Sequence, residues 1–136
     1  MKTLFAASLA ALALLWAPSL AQSPPITQGA GPIKRTILSR QDVPGTSMEV
    51  VLVQVEIAAN SRIDRHTHPG PVMAYVLDGR SAVAFDGEAP AWFSAGDTFK
   101  VEAGRVHAEM TEQSPVRLLA VFTVPKGQPL ATPAPQ

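Results

Sequence analysis

From Met48 to Ala58 the chain reads MEVVLVQVEIA, and Val51, Val53, Val55 and Ile57 recur at every second residue with Gln54 and Glu56 between them. Successive side chains of an extended strand point to opposite faces, so this alternation predicts a strand with one buried face. The rest of the chain repeats the pattern in shorter form. AYVLDGRSAVAFDGE holds two Asp-Gly pairs, Asp78-Gly79 and Asp86-Gly87, which supply the positive φ that tight hairpins require. DTFKVEAG and VHAEMT give further short strands around Ala103-Gly104. VRLLAVFTV, from Val116 to Val124, is apolar on both faces and is expected to be internal. Beyond the N-terminal segment no stretch keeps a helical period for more than two turns. Many short strands separated by turn residues predict an all-β sandwich or barrel, with no internal repeat and no second domain.

The first residues are read differently. Lys2 precedes an apolar run from Leu4 to Ala17, Pro18 breaks any helix, and Ser19-Leu20-Ala21 has the small-x-small form of a cleavage site. Residues 1–21 are therefore expected to be a signal peptide cut after Ala21, sending the protein to the periplasm or outside the cell. The run is shorter than the ~20 residues that cross a bilayer, so no membrane attachment is expected after its removal. Residues 22–35, rich in Pro and Gly, read as a flexible arm, and 126–136 as a flexible tail, leaving 36–125 for the barrel. The chain has no cysteine, which excludes disulfides, Cys-ligated zinc and iron–sulfur clusters. An exported chain of this kind must be held by core packing alone. Formal charge is zero, without a basic block, and argues against nucleic acid as a partner.

All three histidines, His66, His68 and His107, carry weight. Residues i and i+2 of a strand share a face, so His66 and His68 can reach one metal ion together, and Pro69 favours extended backbone at His68. His107 comes from a different predicted strand. A His-x-His pair also occurs on solvated strands, so the pair alone does not make a site. Glu109, two residues after His107, shares its face if the strand is regular; it then becomes a further ligand or a general base, its pKa raised by apolar surroundings. If the strand is bulged or lies at the mouth, Glu109 is solvated. Arg62, Asp64, Arg65 and Arg105 read as a charged rim or as groups that steer an anion. Trp92 and Phe93 read as core or as a dimer surface, and Asp97 as a turn residue.

Together, HTHPGPVMAYVLDG and AGDTFKVEAGRVH resemble the two motifs of the cupin family. In the first motif the histidines are His66 and His68 and the closing glycine is Gly79, while Asn60 stands where the opening glycine is usual. In the second, Gly96, Gly104 and His107 match, whereas Glu102 and Thr111 replace the usual Pro and Asn. The resemblance covers about Ile37 to Val124. It implies a double-stranded β-helix, the jelly-roll barrel of cupins, with a divalent metal (Fe, Mn, Zn or Ni) on His66, His68 and His107, and a small-molecule ligand. It also implies a homodimer paired through sheet edges. The usual glutamate ligand falls on Val72 or, with longer spacing, on Met73. Two outcomes follow: three histidines hold the metal alone, as in an oxygenase or isomerase, or the barrel is a non-catalytic binding or sensing module without metal. Three neutral ligands leave the full 2+ charge on the ion and favour an anionic or bidentate oxygen ligand. Val72 and Met73 are expected to make the wall apolar and Tyr75 to add an aromatic surface. Metal affinity is expected to fall as pH drops through the ordinary histidine range near ~6.5.

Overall fold

The computed structural model describes residues 26–28 and 31–135; the expected signal peptide lies outside the described residues. Eleven strands follow in chain order: β1 (Ile26–Gln28), β2 (Ile33–Asp42), β3 (Met48–Ile57), β4 (Arg62–Thr67), β5 (Val72–Asp78), β6 (Arg80–Phe85), β7 (Ala91–Ser94), β8 (Thr98–Val101), β9 (His107–Thr111), β10 (Val116–Pro125) and β11 (Thr132–Pro133). The described residues contain no helix. The strands form a six-stranded sheet, β1-β2-β3-β10-β5-β8, and a five-stranded sheet, β11-β4-β9-β6-β7, with every pairing antiparallel. The fold is the all-β double-stranded β-helix.

The alternation in β3 decides which way the larger sheet faces. Val51, Val53, Val55 and Ile57 are buried, and their neighbours are not. Val116, Leu118, Ala120, Phe122 and Val124 of β10 repeat the pattern beside them, and Val72, Ala74 and Val76 of β5 complete it. β10 lies between β3 and β5, so its expected internal place is in the sheet order. Only one of its faces is fully buried.

Three expectations need correction. Asp86-Gly87 does turn a hairpin, between β6 and β7, but Asp78-Gly79 does not: it carries the chain from the larger sheet to the smaller. Gly79 has φ 80°, and a side chain there would collide with the backbone of Pro115 and Val116. Positive φ serves both kinds of turn, and a distant close approach decides between them. The segment expected as a flexible arm already enters β2 at Ile33, because Ile33, Arg35 and Ile37 recur at every second residue, with Lys34 and Thr36 on the other face, in strand fashion. The segment expected as a flexible tail buries Leu130 in the core and pairs with β4 through β11. A two-residue edge strand suits this Pro-rich stretch, since proline cannot donate to a ladder. Trp92 and Phe93 also divide: Phe93 packs on the core against Phe99, while Trp92 is half-buried beneath the guanidinium of Arg80.

Candidate metal centre

Strand β4 is not regular. It pairs Ile63 with Glu109 and His66 with His107, so three steps on β4 match two on β9. The extra residue is a β-bulge. It changes the parity of the strand, so that Ile63, His66 and His68 are all buried although Ile63 and His66 are an odd number of residues apart. On β9 the pleat is regular and His107 and Glu109 both turn inward. The turn before β9 is tied to the end of β4 by the Gly104 amide, which donates to the carbonyl of His68 at 2.9 Å.

The three imidazoles converge. Ring centroids lie 5.0 Å (His66–His68), 4.2 Å (His66–His107) and 5.0 Å (His68–His107) apart. One ligand nitrogen from each falls within 4.8 Å of the others, and all three residues are buried. Each ring is oriented from behind by a backbone carbonyl. His66 Nδ1 bonds Asp64 O at 2.8 Å, His107 Nδ1 bonds Arg105 O at 3.0 Å, and His68 Nδ1 bonds Leu130 O at 2.6 Å. A carbonyl only accepts, so each Nδ1 carries the proton and each Nε2 presents a lone pair. His107 is fully buried and its Nε2 has no hydrogen-bond partner. A buried polar atom without a partner is costly, and a cation shared with the two neighbouring rings would satisfy it. The donor set therefore fits a divalent metal: three neutral nitrogens, correctly protonated and held by outer hydrogen bonds.

Electrostatics agrees. Burial, assisted by the neighbouring rings, lowers the pKa of His68 to about 3; burial and His66 lower that of His107 to about 4. Both are neutral at pH 7, as ligation requires. Proton competition at these two ligands then begins well below the ~6.5 of an exposed histidine expected from sequence. The same shifts set the acid stability of the metal-free protein. Below about pH 6.5 an unfolded chain takes up protons at His68 and His107 that the folded chain refuses until about pH 3 and about pH 4 respectively, so stability falls as pH drops through that window. Burial raises the pKa of Glu109, which acts in the opposite sense above its unfolded value. Metal-free Glu109→Gln is therefore expected to melt at progressively lower temperature between pH 6.5 and 4, as followed by circular dichroism. A flat profile would contradict the buried neutral imidazoles.

The wall beside the histidines is a cavity of about 30 Å³. Ile33, Val55, Val72, Phe99 and Leu118 make it largely apolar, and Arg35 and Glu109 add opposite charges. Val72 faces inward, buried, whereas Met73 is 60% exposed on the outer face, so the position of the usual glutamate ligand is Val72. Tyr75 also faces out, 44% exposed, and adds no aromatic surface to the cavity; it shares the parity of Met73 on β5. Glu109 is buried inside, not solvated, but lies outside the cluster of three ligand nitrogens. Arg65 and Arg105 face away from the cavity and clamp the β6–β7 turn: Arg65 pairs with Asp86, and Arg105 pairs with Glu88 and lies 3.7 Å over the Phe85 ring. Arg35 was not singled out by the sequence, although Ile33-x-Arg35-x-Ile37 carries the period-two signal that puts it inside.

Comparison with known proteins agrees with this geometry. The family model described as a cupin domain matches residues 53–122. No curated protein matches the sequence. Among solved structures, the polyketide cyclase RemF from Streptomyces resistomycificus has a TM-score of 0.64 at 19% identity, covering 89% of this chain and 87% of that one. KdgF from Halomonas sp. has a TM-score of 0.58 at 22% identity, covering 74% of this chain and 88% of that one. The DMSP lyase DddQ from Ruegeria pomeroyi has a TM-score of 0.58 at 20% identity over 62% of this chain, which spans 43% of the length of the lyase. At these identities the likeness shows the fold alone. A buried three-histidine cluster in a double-stranded β-helix, with the family match across both motifs, identifies this chain as a member of the cupin family.

Proposed function

We propose that the protein is a metal-dependent cupin that oxidises or isomerises a small oxygen-bearing molecule, with His66, His68 and His107 holding the ion. The observation that carries this reading is the buried, unpartnered Nε2 of His107 beside two rings whose Nδ1 atoms are likewise occupied by carbonyls. A divalent ion held there supplies Lewis-acid chemistry or, as iron or manganese, chemistry with dioxygen. The chain supplies the rest. Its narrow apolar cavity admits the reacting end of a ligand and little water beside it. Glu109, buried and close enough for its charge to act on His66 and Arg35, is the proton acceptor and donor at its carboxylate. The raised pKa brings it nearer the working range of a base at neutral pH. Export to the periplasm or beyond belongs to the same proposal and rests on the apolar run Leu4–Ala17 and the small residues before Gln22.

One observation favours a second reading. Val72 removes the carboxylate that a cupin metal usually receives, which suits a barrel that binds or senses a small molecule without converting it. Elemental analysis separates the two. The purified protein is expected to carry close to one equivalent of a divalent metal, and His68→Ala to bind it at least about 100-fold more weakly. Oxygen uptake with phenols, diketones and thiols then checks the conversion. Absence of stoichiometric metal in wild-type protein refolded with Fe, Mn, Zn or Ni would overturn the metal-dependent reading.

A further inference from the structure

We propose that two copies of this chain meet face to face through the outer side of the larger sheet, about a two-fold axis that runs along the strands between β3 and β10. This surface is independent of the metal and of any reaction. Among the described residues the exposed large hydrophobic side chains are Leu38, Met73, Tyr75 and Leu77, and all four stand on this one face. The parity that buries Ile37, Val72, Ala74 and Val76 turns them outward. Leu52, Leu119 and Val121, half-buried, fill the space between them. A groove of about 300 Å³ runs past Met73, Tyr75, Leu119 and Val121. Apolar side chains gathered on one face mark an interaction surface, which the same residues scattered singly would not. The sheet edges suit pairing poorly: β1, β8, β7 and β11 are three, four, four and two residues long, and short edge strands resist edge-to-edge association.

The charges at one end of this face identify the occupant. Strand register places Lys34, Glu56, Arg117 and Asp78 in one row across β2, β3, β10 and β5, so the signs run plus, minus, plus, minus. A partner of single charge sign would meet two like charges there. A second copy turned about the two-fold presents the row in reverse order. Lys34 then faces the partner's Asp78 and Glu56 faces the partner's Arg117, so all four charges are matched, as a self-complementary interface requires. The same operation lays Leu38 and Leu52 against the partner's groove, and the groove against the partner's pair. Gln54, a polar group among these rows, keeps its bond to Glu56 at 2.9 Å. Aligned sheets pack about 10 Å apart, within reach of these side chains. Four strands, of which β3 and β10 are ten residues long, present a face of roughly 20 Å by 30 Å, of the order of the ~800 Å² that each partner of a stable complex contributes.

Sedimentation velocity of the purified protein at low salt tests this. Wild type is expected to sediment as a dimer. Met73→Glu, at a side chain 60% exposed, is expected to raise the dimer dissociation constant ten-fold or more while circular dichroism shows the fold unchanged. Glu56→Arg and Arg117→Glu each bring two like-charge contacts into the dimer, and each variant alone is expected to dissociate at least ten-fold more readily. Mixed in equal amounts, the two are expected to recover the dimer, because Arg at 56 then faces Glu at 117 and the native pair faces itself. That recovery also shows that both variants are folded. A wild-type protein that stays monomeric up to about 100 μM would overturn the proposal. So would a dimer indifferent to Met73→Glu, or two charge variants that do not rescue each other on mixing.

Discussion

Gly70→Ala is expected to destabilise the protein by about 3 kcal/mol or more, the range of severe steric substitutions, and to lower its melting temperature by on the order of 10 °C. The turn between β4 and β5 passes directly over β10. A methyl group on Gly70 would sit on the carbonyl oxygen of Thr123, 2.9 Å from its carbon and 3.3 Å from Val124 Cα. All three atoms are backbone, so no side chain can rotate away. The Thr123 amide also donates to Pro71 O at 3.1 Å, which fixes the turn against the strand. Relief requires moving either the strand at the centre of the larger sheet or the turn itself. The turn carries His68, two residues away, so the variant is expected to bind metal more weakly as well as to melt earlier. Calorimetry and elemental analysis of the same sample read both effects; a melting temperature within about 2 °C of wild type would refute the close approach.

Removing Pro129–Gln136 is the second large change. Those residues place Leu130 in the core, pair β11 with β4, and accept a hydrogen bond from Arg65 at Pro135 O, 2.6 Å. Deleting a buried leucine alone costs about 2–5 kcal/mol. The truncation also deletes the carbonyl that holds His68 Nδ1, and loss of such an outer partner typically weakens metal binding about 10–100-fold. Leu130→Ala separates the two effects, since it empties the pocket but keeps the carbonyl. The expected result is a similar loss of melting temperature in both variants, with the larger loss of metal affinity, measured by competition with a chelator, confined to the truncation. Equal metal affinity in the two would show that the Leu130 carbonyl does not position His68.

What the sequence revealed depended on range. Alternation in Met48–Ile57 fixed a buried face because the signal lies within one strand. His-x-His and the two-residue spacing of His107 and Glu109 were legible for the same reason, and the two motifs together pointed to the barrel. Features set by contacts between distant segments were not. Asp78-Gly79 passes for a hairpin turn until Pro115 is seen packed against it. Leu130 sits in a Pro-rich stretch of loop composition, and only the groove beside β4 gives it a place. Tyr75 and Met73 looked like cavity residues because they stand near the motif, yet the parity of β5, fixed by buried Val72, Ala74 and Val76, turns them out. Arg35 was overlooked because a charged residue in a short segment reads as surface unless the flanking isoleucines are counted.

The bulge at Asp64-Arg65 ties the centre to how β4 lies on β9, not to the spelling of the strand alone. Losing a single codon there would straighten the strand and leave an even two-residue step from Ile63 to the first imidazole, so both rings would keep facing inward. A substitution that flattens the strand at unchanged length would instead swing both rings to the outer wall together, and its descendants would show His-x-His intact in their genes yet have no means of gripping an ion; a genome search for working relatives should therefore accept two or three residues back to Ile63, the longer spacing only where the bulge persists.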